Sequence, residues 1–364
     1  MFSSVAQSRL LVKNILSTQT QKLLMGTSFP SKLVYSEHGV PSDVLRKEND
    51  NIREPKENQV LLKMLASPVN PIDINVIEGK YIFKPQLPTV AGSEGVGEVI
   101  SVGPGVSDLK VGDHAVIMTM YSGTWRSHLT VPRNSVLKVP SELGLVEAAT
   151  LAINPCTAYR MLKDCVNLKS GDTVVQNGSN SACGQNIIQL ARVWGINTVN
   201  IIRTRPNVEE VKDFLTSLGA THVLTEEEFK STDIFKSGEV AAAKLALDCV
   251  GGQSAAALLR NLQIGSTLVV YGGMSKQPVS IPVSALIFKD IHVCGFRIAK
   301  WMEENNRNEH WQKMLDELIS LMVNKELKGS VHKIIDSDNY KEALNNTITE
   351  KGMVGKKFIL SFNK

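Results

Sequence analysis

One run of the chain, DTVVQNGSNSACGQNIIQLARVWGINTVNIIRTR from Asp172 to Arg205, restricts the possible folds more than any other. Thr173 to Val175 is β-branched and apolar. Gly171-Asp172 precedes it and Asn177-Gly178 follows it, the bounds of a short buried strand. Ile187, Ile188, Leu190, Ala191 and Trp194 then recur at helical spacing, and Gly195 stops the helix. Thr198 to Ile202 is a second apolar run. Strand, glycine-bearing turn, helix and strand within about 30 residues make a βαβ unit, the common cradle for a dinucleotide. Between Gly178 and Gly184 stand Ser179, Asn180, Ser181, Ala182 and Cys183. Small side chains there let the backbone approach a pyrophosphate, and the helix N-terminus offers free N–H groups and the positive end of its dipole. The turn departs from the three-glycine fingerprint, so alone it also fits a small-residue turn in any α/β protein.

The end of the second strand adds chemistry. A site for NAD places Asp or Glu there to hold the ribose hydroxyls. Here the strand runs into Arg203-Thr204-Arg205-Pro206, and the next acid is Glu209. Two guanidiniums suit a 2′-phosphate, which favours NADPH over NADH. The competing reading is a pair of solvated surface charges.

At 364 residues the chain can bury two domain cores. Its 43% apolar and 21% charged content are ordinary for a globular protein. No run of about 18 apolar residues exists, so no membrane span is expected. Glu37 is the first acid, and Arg9, Lys13, Lys22 and Lys32 punctuate a stretch rich in Ser, Thr, Gln and Leu. That composition predicts a mitochondrial transit peptide over residues 1–29 and a matrix location; a plain N-terminal tail is the alternative. The leader holds three basic residues and no acid, so without it the net charge of +4 falls to +1. The mild basicity therefore gives no reason to expect nucleic acid. Cys156, Cys165, Cys183, Cys249 and Cys294 are scattered and odd in number, which suits reduced thiols. Cys183 stands where a helix N-terminus could lower a thiol pKa, though a small residue that simply fits is the plainer reading.

In chain order, 31–36 and 59–65 read as strands separated by polar turn material. From Ala66 to Ile117 the chain is dense in Gly and Pro between short β-branched runs, an all-β segment. Asn70-Pro71 with Asp73, Gly79 and Tyr81, Pro88, Ala91-Gly92, GVGEVISVG and KVGDHAV stand there in sequence. This order resembles the chaperonin-10-like (GroES-like) domain of the medium-chain dehydrogenase/reductase superfamily, and the likeness covers nearly all of the chain after the leader. Zinc-dependent members need Cys and a Gly-His-Glu. Here Asn70, Asp73 and Gly92-Ser93-Glu94 occupy those places. The four-cysteine zinc lobe is missing, and His38, His114, His128, His222, His292, His310 and His332 show no ligand spacing, so no metal is expected. Beyond Arg205 the βα alternation continues, with strand ends near 203, 250 and 271. Met302 to Val323 reads as one long amphipathic helix, and the residues from His332 as strands rejoining the first domain.

The expected fold class is α/β: a GroES-like β-rich catalytic domain over 30–153 and 325–364, and a Rossmann doubly wound parallel sheet binding NADPH over 154–324. QNGSNSACGQNIIQ, IIRTRPN, LDCVGG, YGGMSKQPV and IFKDIHVCGF together resemble the mitochondrial trans-2-enoyl thioester reductases. The resemblance implies NADPH-dependent reduction of enoyl-ACP or enoyl-CoA in mitochondrial fatty acid synthesis by a homodimer. It implies that Tyr81 is catalytic. It implies cofactor contacts from Asn154, from Asn180, Ser181, Ala182 and Cys183, and from Arg203, Thr204 and Arg205. Further contacts are implied from Tyr271, Gly272, Gly273 and Met274, from Phe296, Arg297 and Ile298, and from Lys356. Arg297 stands where a tryptophan is expected. The chemistry agrees with a tyrosine. Hydride addition at the β-carbon sends charge to the thioester oxygen, and a neutral acid must then protonate the α-carbon. A phenol, with an ordinary pKa of about 10, keeps its proton at matrix pH. An NADPH:quinone oxidoreductase and a non-catalytic NADPH-binding protein remain as alternatives.

Overall fold

The computed structural model describes residues 29–348 and 356–362. The expected leader lies outside the described residues, apart from Phe29. The chain first builds β1 (Ser31–Tyr35), β2 (Arg46–Asn49), β3 (Gln59–Pro68), helix α1 (Pro71–Ile77), β4 (Thr89–Val90), β5 (Val96–Val102), β6 (His114–Ile117), β7 (His128–Pro132) and β8 (Val136–Val139). β3 is longer than its sequence pattern indicates. It pairs antiparallel with both β5 and β7, so nearly every position is covered and alternation fades. β2, Arg-Lys-Glu-Asn, is wholly exposed and charged. It is a strand only because β1 supplies ladder partners from Ser31↔Asn49 to Val34↔Arg46, which explains why it reads as turn material.

The second unit starts with α2 (Asn154–Asp164) and runs β9 (Thr173–Gln176), α3 (Ala182–Val193), β10 (Asn197–Ile202), α4 (Val208–Ser217), β11 (His222–Thr225), β12 (Ala243–Asp248), β13 (Leu262–Val270), α5 (Val283–Lys289) and β14 (His292–Gly295). All six strands are parallel in the order β11-β10-β9-β12-β13-β14. The order reverses beside β9, and a crevice opens there at the strand C-termini. β9 is buried along its whole length, as a central parallel strand must be.

The expected single helix over Met302 to Val323 is two helices, α6 (Ile298–Glu304) and α7 (Glu309–Val323). Arg307 between them has φ of 58°, a left-handed value that no helix continues through. Asn308 caps the second piece by accepting the Trp311 N–H at 3.0 Å. The apolar periodicity carries across the break because both pieces bury Met302, Trp311, Met314 and Leu318 in one cluster. β15 (His332–Asp336) and β16 (Lys357–Ser361) then return to the first unit. β16 pairs with β3, Ile359 opposite Pro68, and completes a sheet of order β15-β16-β3-β5-β6-β8 with β7 on β3. This GroES-like β domain and the Rossmann domain share one core cluster, in which Val96 and Val116 meet Leu151, Cys156 and Val174. No helix among the described residues is long and apolar enough to cross a membrane.

Candidate active site

The turn after β9 is built for close approach. Ser181 caps α3 by accepting the Gly184 N–H at 3.1 Å. Gln185 donates to the Asn180 carbonyl at 2.9 Å, and Ser179 to the Gln176 carbonyl at 3.0 Å. These bonds hold the turn's backbone in place with its side chains folded inward. At Gly184 an added Cβ would lie 2.4 Å from the Ser179 carbonyl oxygen. At Gly178, where φ is 57°, it would lie 2.5 Å from the Cys249 sulfur. Cys183 is buried, and burial pushes its thiol well above the usual range, against the idea of a helix-activated thiolate.

At the end of β10, Arg203 and Thr204 are exposed and Arg205 is half-buried. The Thr204 hydroxyl donates to Glu227. Burial and the neighbouring Arg203 push the Arg205 guanidinium below its ordinary pKa. Its Nε is buried without a partner. Two like charges side by side, one with an unused buried donor, call for an anion. NADPH fits these residues: the turn and the α3 N-terminus for pyrophosphate, Arg203 and Arg205 for the 2′-phosphate.

On the opposite wall, α2 begins with Asn154 and Pro155. The Asn154 amide lies 3.5 Å from the Asn70 side-chain oxygen, within a buried network. Asn70 donates to Glu94 at 3.0 Å, Ser93 donates to Asp73 at 2.7 Å, and the Ile153 N–H donates to Glu94 at 2.8 Å. The Lys357 ammonium donates to the Asn70 oxygen. Burial raises Asp73 to about 6 and Glu94 to about 7, while burial lowers Lys357. A buried lysine amine therefore joins the network of Asn70, Asp73, Glu94 and Asn154. Among the described residues no group of three or more His, Cys, Asp or Glu could hold a metal ion.

The resemblance points to Lys356, and the structure sets it apart from its neighbour. Lys356 is exposed, and Lys357, the first residue of β16, is the one turned inward. The two adjacent lysines are indistinguishable by type; the pairing of β16 with β15, His332 opposite Lys357, fixes the strand in which Lys357 is the buried one.

Tyr271 is held between Cys183 and Cys249, and burial pushes its hydroxyl well above the usual range. Gly272 passes Cys249 so closely that a Cβ would sit 3.0 Å from its carbonyl oxygen. Gly273 and Met274 are exposed. Phe296 is half-buried, Arg297 is exposed, and Ile298 is buried at the start of α6.

Tyr81 follows α1 on a loop of the β domain and is half-buried. Its ring centroid lies 6.4 Å from that of Tyr121, and Phe83 stacks on Tyr121 at 4.0 Å. Arg297, from the Rossmann domain, acts electrostatically on the Tyr121 hydroxyl, so the two domains meet at this cluster. A groove of about 660 Å³ is lined by Tyr121, Met118, Met302 and Trp311 together with Arg133 and Arg307. The sequence reading did not single out Tyr121 or Lys357; one belongs to a turn of ordinary composition, the other hides beside its twin.

Fold and site together define a medium-chain dehydrogenase/reductase that uses NADPH. Residues 56–141 match the alcohol dehydrogenase GroES-like domain, and residues 182–320 match the zinc-binding dehydrogenase domain. A mitochondrial enoyl-[acyl-carrier-protein] reductase from Xenopus tropicalis is 46% identical, over 80% of this chain and 84% of that protein. The Etr1p complex with NADP and crotonyl-CoA superposes with a TM-score of 0.83 at 33% identity, over 92% of this chain and 99% of that one. The mitochondrial 2-enoyl thioester reductase Etr1p/Etr2p heterodimer from Candida tropicalis also gives 0.83 at 33% identity, over 92% and 100%. The chain belongs to the mitochondrial enoyl-[acyl-carrier-protein] reductase family.

Proposed function

We propose that the protein reduces trans-2-enoyl thioesters to saturated acyl thioesters with NADPH, in mitochondrial fatty acid synthesis. The observation that carries this reading is the Tyr81 phenol beside Tyr121, a residue on which Arg297 of the Rossmann domain acts and which lines a groove between the two domains. Bound at the turn after β9, NADPH would supply hydride to the β-carbon. Charge then moves to the thioester oxygen of the substrate, and Tyr81 delivers its proton to the α-carbon. Arg203 and Arg205 hold the 2′-phosphate, and Asn154 and the segments 271–274 and 296–298 wall the nicotinamide end. Lys356 is the C-terminal contact for the cofactor, next to Lys357, whose buried ammonium donates to Asn70. A groove of about 660 Å³ is within the usual size range of small-molecule sites.

The protein is mitochondrial, as its relatives are. The acid-free leader over 1–29 supports import to the matrix. Sheet membership supports dividing the rest into 30–153 with 325–364 and 154–324. Either acyl carrier protein or coenzyme A can present the substrate. We infer a homodimer, because β14 is an open sheet edge and Val283, Ile287 and Phe288 on α5 beside it are 67%, 67% and 76% exposed.

Turnover of crotonyl-CoA with NADPH tests the function. Tyr81→Phe removes only the hydroxyl, so the expected loss is about 10²–10⁴-fold in kcat with NADPH affinity kept. Undiminished turnover would make Tyr81 a packing residue.

A further inference from the structure

Tyr121 occupies a conformation that needs explaining. Its φ is 61°, in the left-handed region that bulky side chains avoid. Phe83 holds the ring there, stacked at 4.0 Å with an interplanar angle of 12°. The result is a phenol whose oxygen is sealed from solvent and has no partner of hydrogen-bonding geometry. An orphaned buried hydroxyl is costly, and it persists where something else uses it. The groups that face it are known. Tyr81 lies alongside, Arg297 reaches it from the β14–α6 turn, and Asp73 acts from the buried network.

We propose that Tyr121 is a positioning residue for Tyr81, donating a hydrogen bond to the Tyr81 oxygen as that oxygen becomes a phenolate. The proposal rests on the reduction reading above. Tyr81 gives its proton to the α-carbon as the β-carbon takes the hydride. It is left with one negative charge and later regains a proton from solvent. Tyr121 keeps its own proton throughout. Burial first, then negative charge on the Tyr81 oxygen, hold that proton on, while the Arg297 charge works the other way. A donor that stays neutral and is already desolvated suits this task, because a hydrogen bond to a charged oxygen is stronger than one to a neutral hydroxyl. The bond is needed only when charge appears, so its benefit falls on turnover and not on substrate binding. The Arg297 guanidinium adds positive potential at the same place, a role a tryptophan there could not fill.

The test is Tyr121→Phe, which keeps the ring and its stack on Phe83. The expected result is a fall of about 10- to 100-fold in kcat with crotonyl-CoA. KM values for both substrates should hold within twofold (about 0.4 kcal/mol), and the basic limb of the kcat profile should move to higher pH. Combined with Tyr81→Phe, the second change should cost nothing further. An unchanged kcat and profile, a change in KM alone, or full additivity in the double variant would each overturn the proposal. A readout without substrate separates this from the reduction reading. Ultraviolet difference titration should show the tyrosinate signal that Tyr81→Phe abolishes, and Tyr121→Phe should move that signal to higher pH. If the wild type fails to reduce crotonyl-CoA, that reading falls, yet the titration still decides the contact. Should Tyr121→Phe not fold, Phe83→Leu frees the ring and keeps both hydroxyls. It should give a smaller loss with the same direction of shift, and an unmoved profile would overturn the idea.

Discussion

Replacing Arg205 by alanine separates the phosphate clamp from everything else the βαβ unit does. The guanidinium is half-buried, pressed beside Arg203, and has an unused Nε donor. Charge-assisted hydrogen bonds contribute about 1.5–3 kcal/mol each. Partial exposure and the surviving Arg203 place the loss near the lower end, about 1.5–2 kcal/mol, or roughly 10- to 30-fold in affinity. A clamp on the 2′-phosphate would act at the end of the cofactor away from the nicotinamide, so it should bind ground state and transition state alike. KM for NADPH should rise by that factor while kcat at saturation stays within about twofold. KM for NADH should barely move, since it has no 2′-phosphate. Stability without cofactor should hold or rise slightly, because the change relieves a like-charge contact and an unsatisfied donor. Steady-state kinetics with both cofactors, plus thermal unfolding of the apoprotein, measure all four quantities. An equal loss with NADPH and NADH would mean that Arg205 shapes the strand end and does not read the phosphate.

Three further outcomes are expected. Burial lifts Glu94 from 4.5 to about 7, so the folded protein binds an extra proton between those values and loses stability as pH rises through the window; Glu94→Gln should flatten the fall of Tm from about pH 5 to 7, and an unaltered slope would refute the assignment. Gly184→Val forces side-chain atoms against the Ser179 carbonyl, so denaturant titration should show a loss of about 1–3 kcal/mol, with NADPH binding weakened as well. Phe288→Glu places charge on the exposed face of α5 and should turn a dimer into monomers in analytical ultracentrifugation; a dimer that survives would move the interface elsewhere.

Much of this protein was legible in its residues because the relevant signals are local. The strand–turn–helix from Thr173 to Val193 follows from apolar periodicity and small turn residues, which depend on neighbours a few positions away. The arginines at 203 and 205 stand next to the strand that carries them, so their place at the crevice follows from the βαβ rule. Tyr81 required the family resemblance, since nothing local distinguishes it from any loop tyrosine. Other features belong to the tertiary structure. β2 has a charged, exposed sequence and exists because β1 offers it a ladder. The break at Arg307 is invisible to a periodicity that serves two helices packed on one core. Lys357 and not Lys356 enters the buried network because pairing across 287 residues of sequence brings it to Asn70. Tyr121 meets Tyr81 and Arg297 for the same reason: three distant segments converge on one point, and burial there pushes the Tyr121 hydroxyl above its usual range.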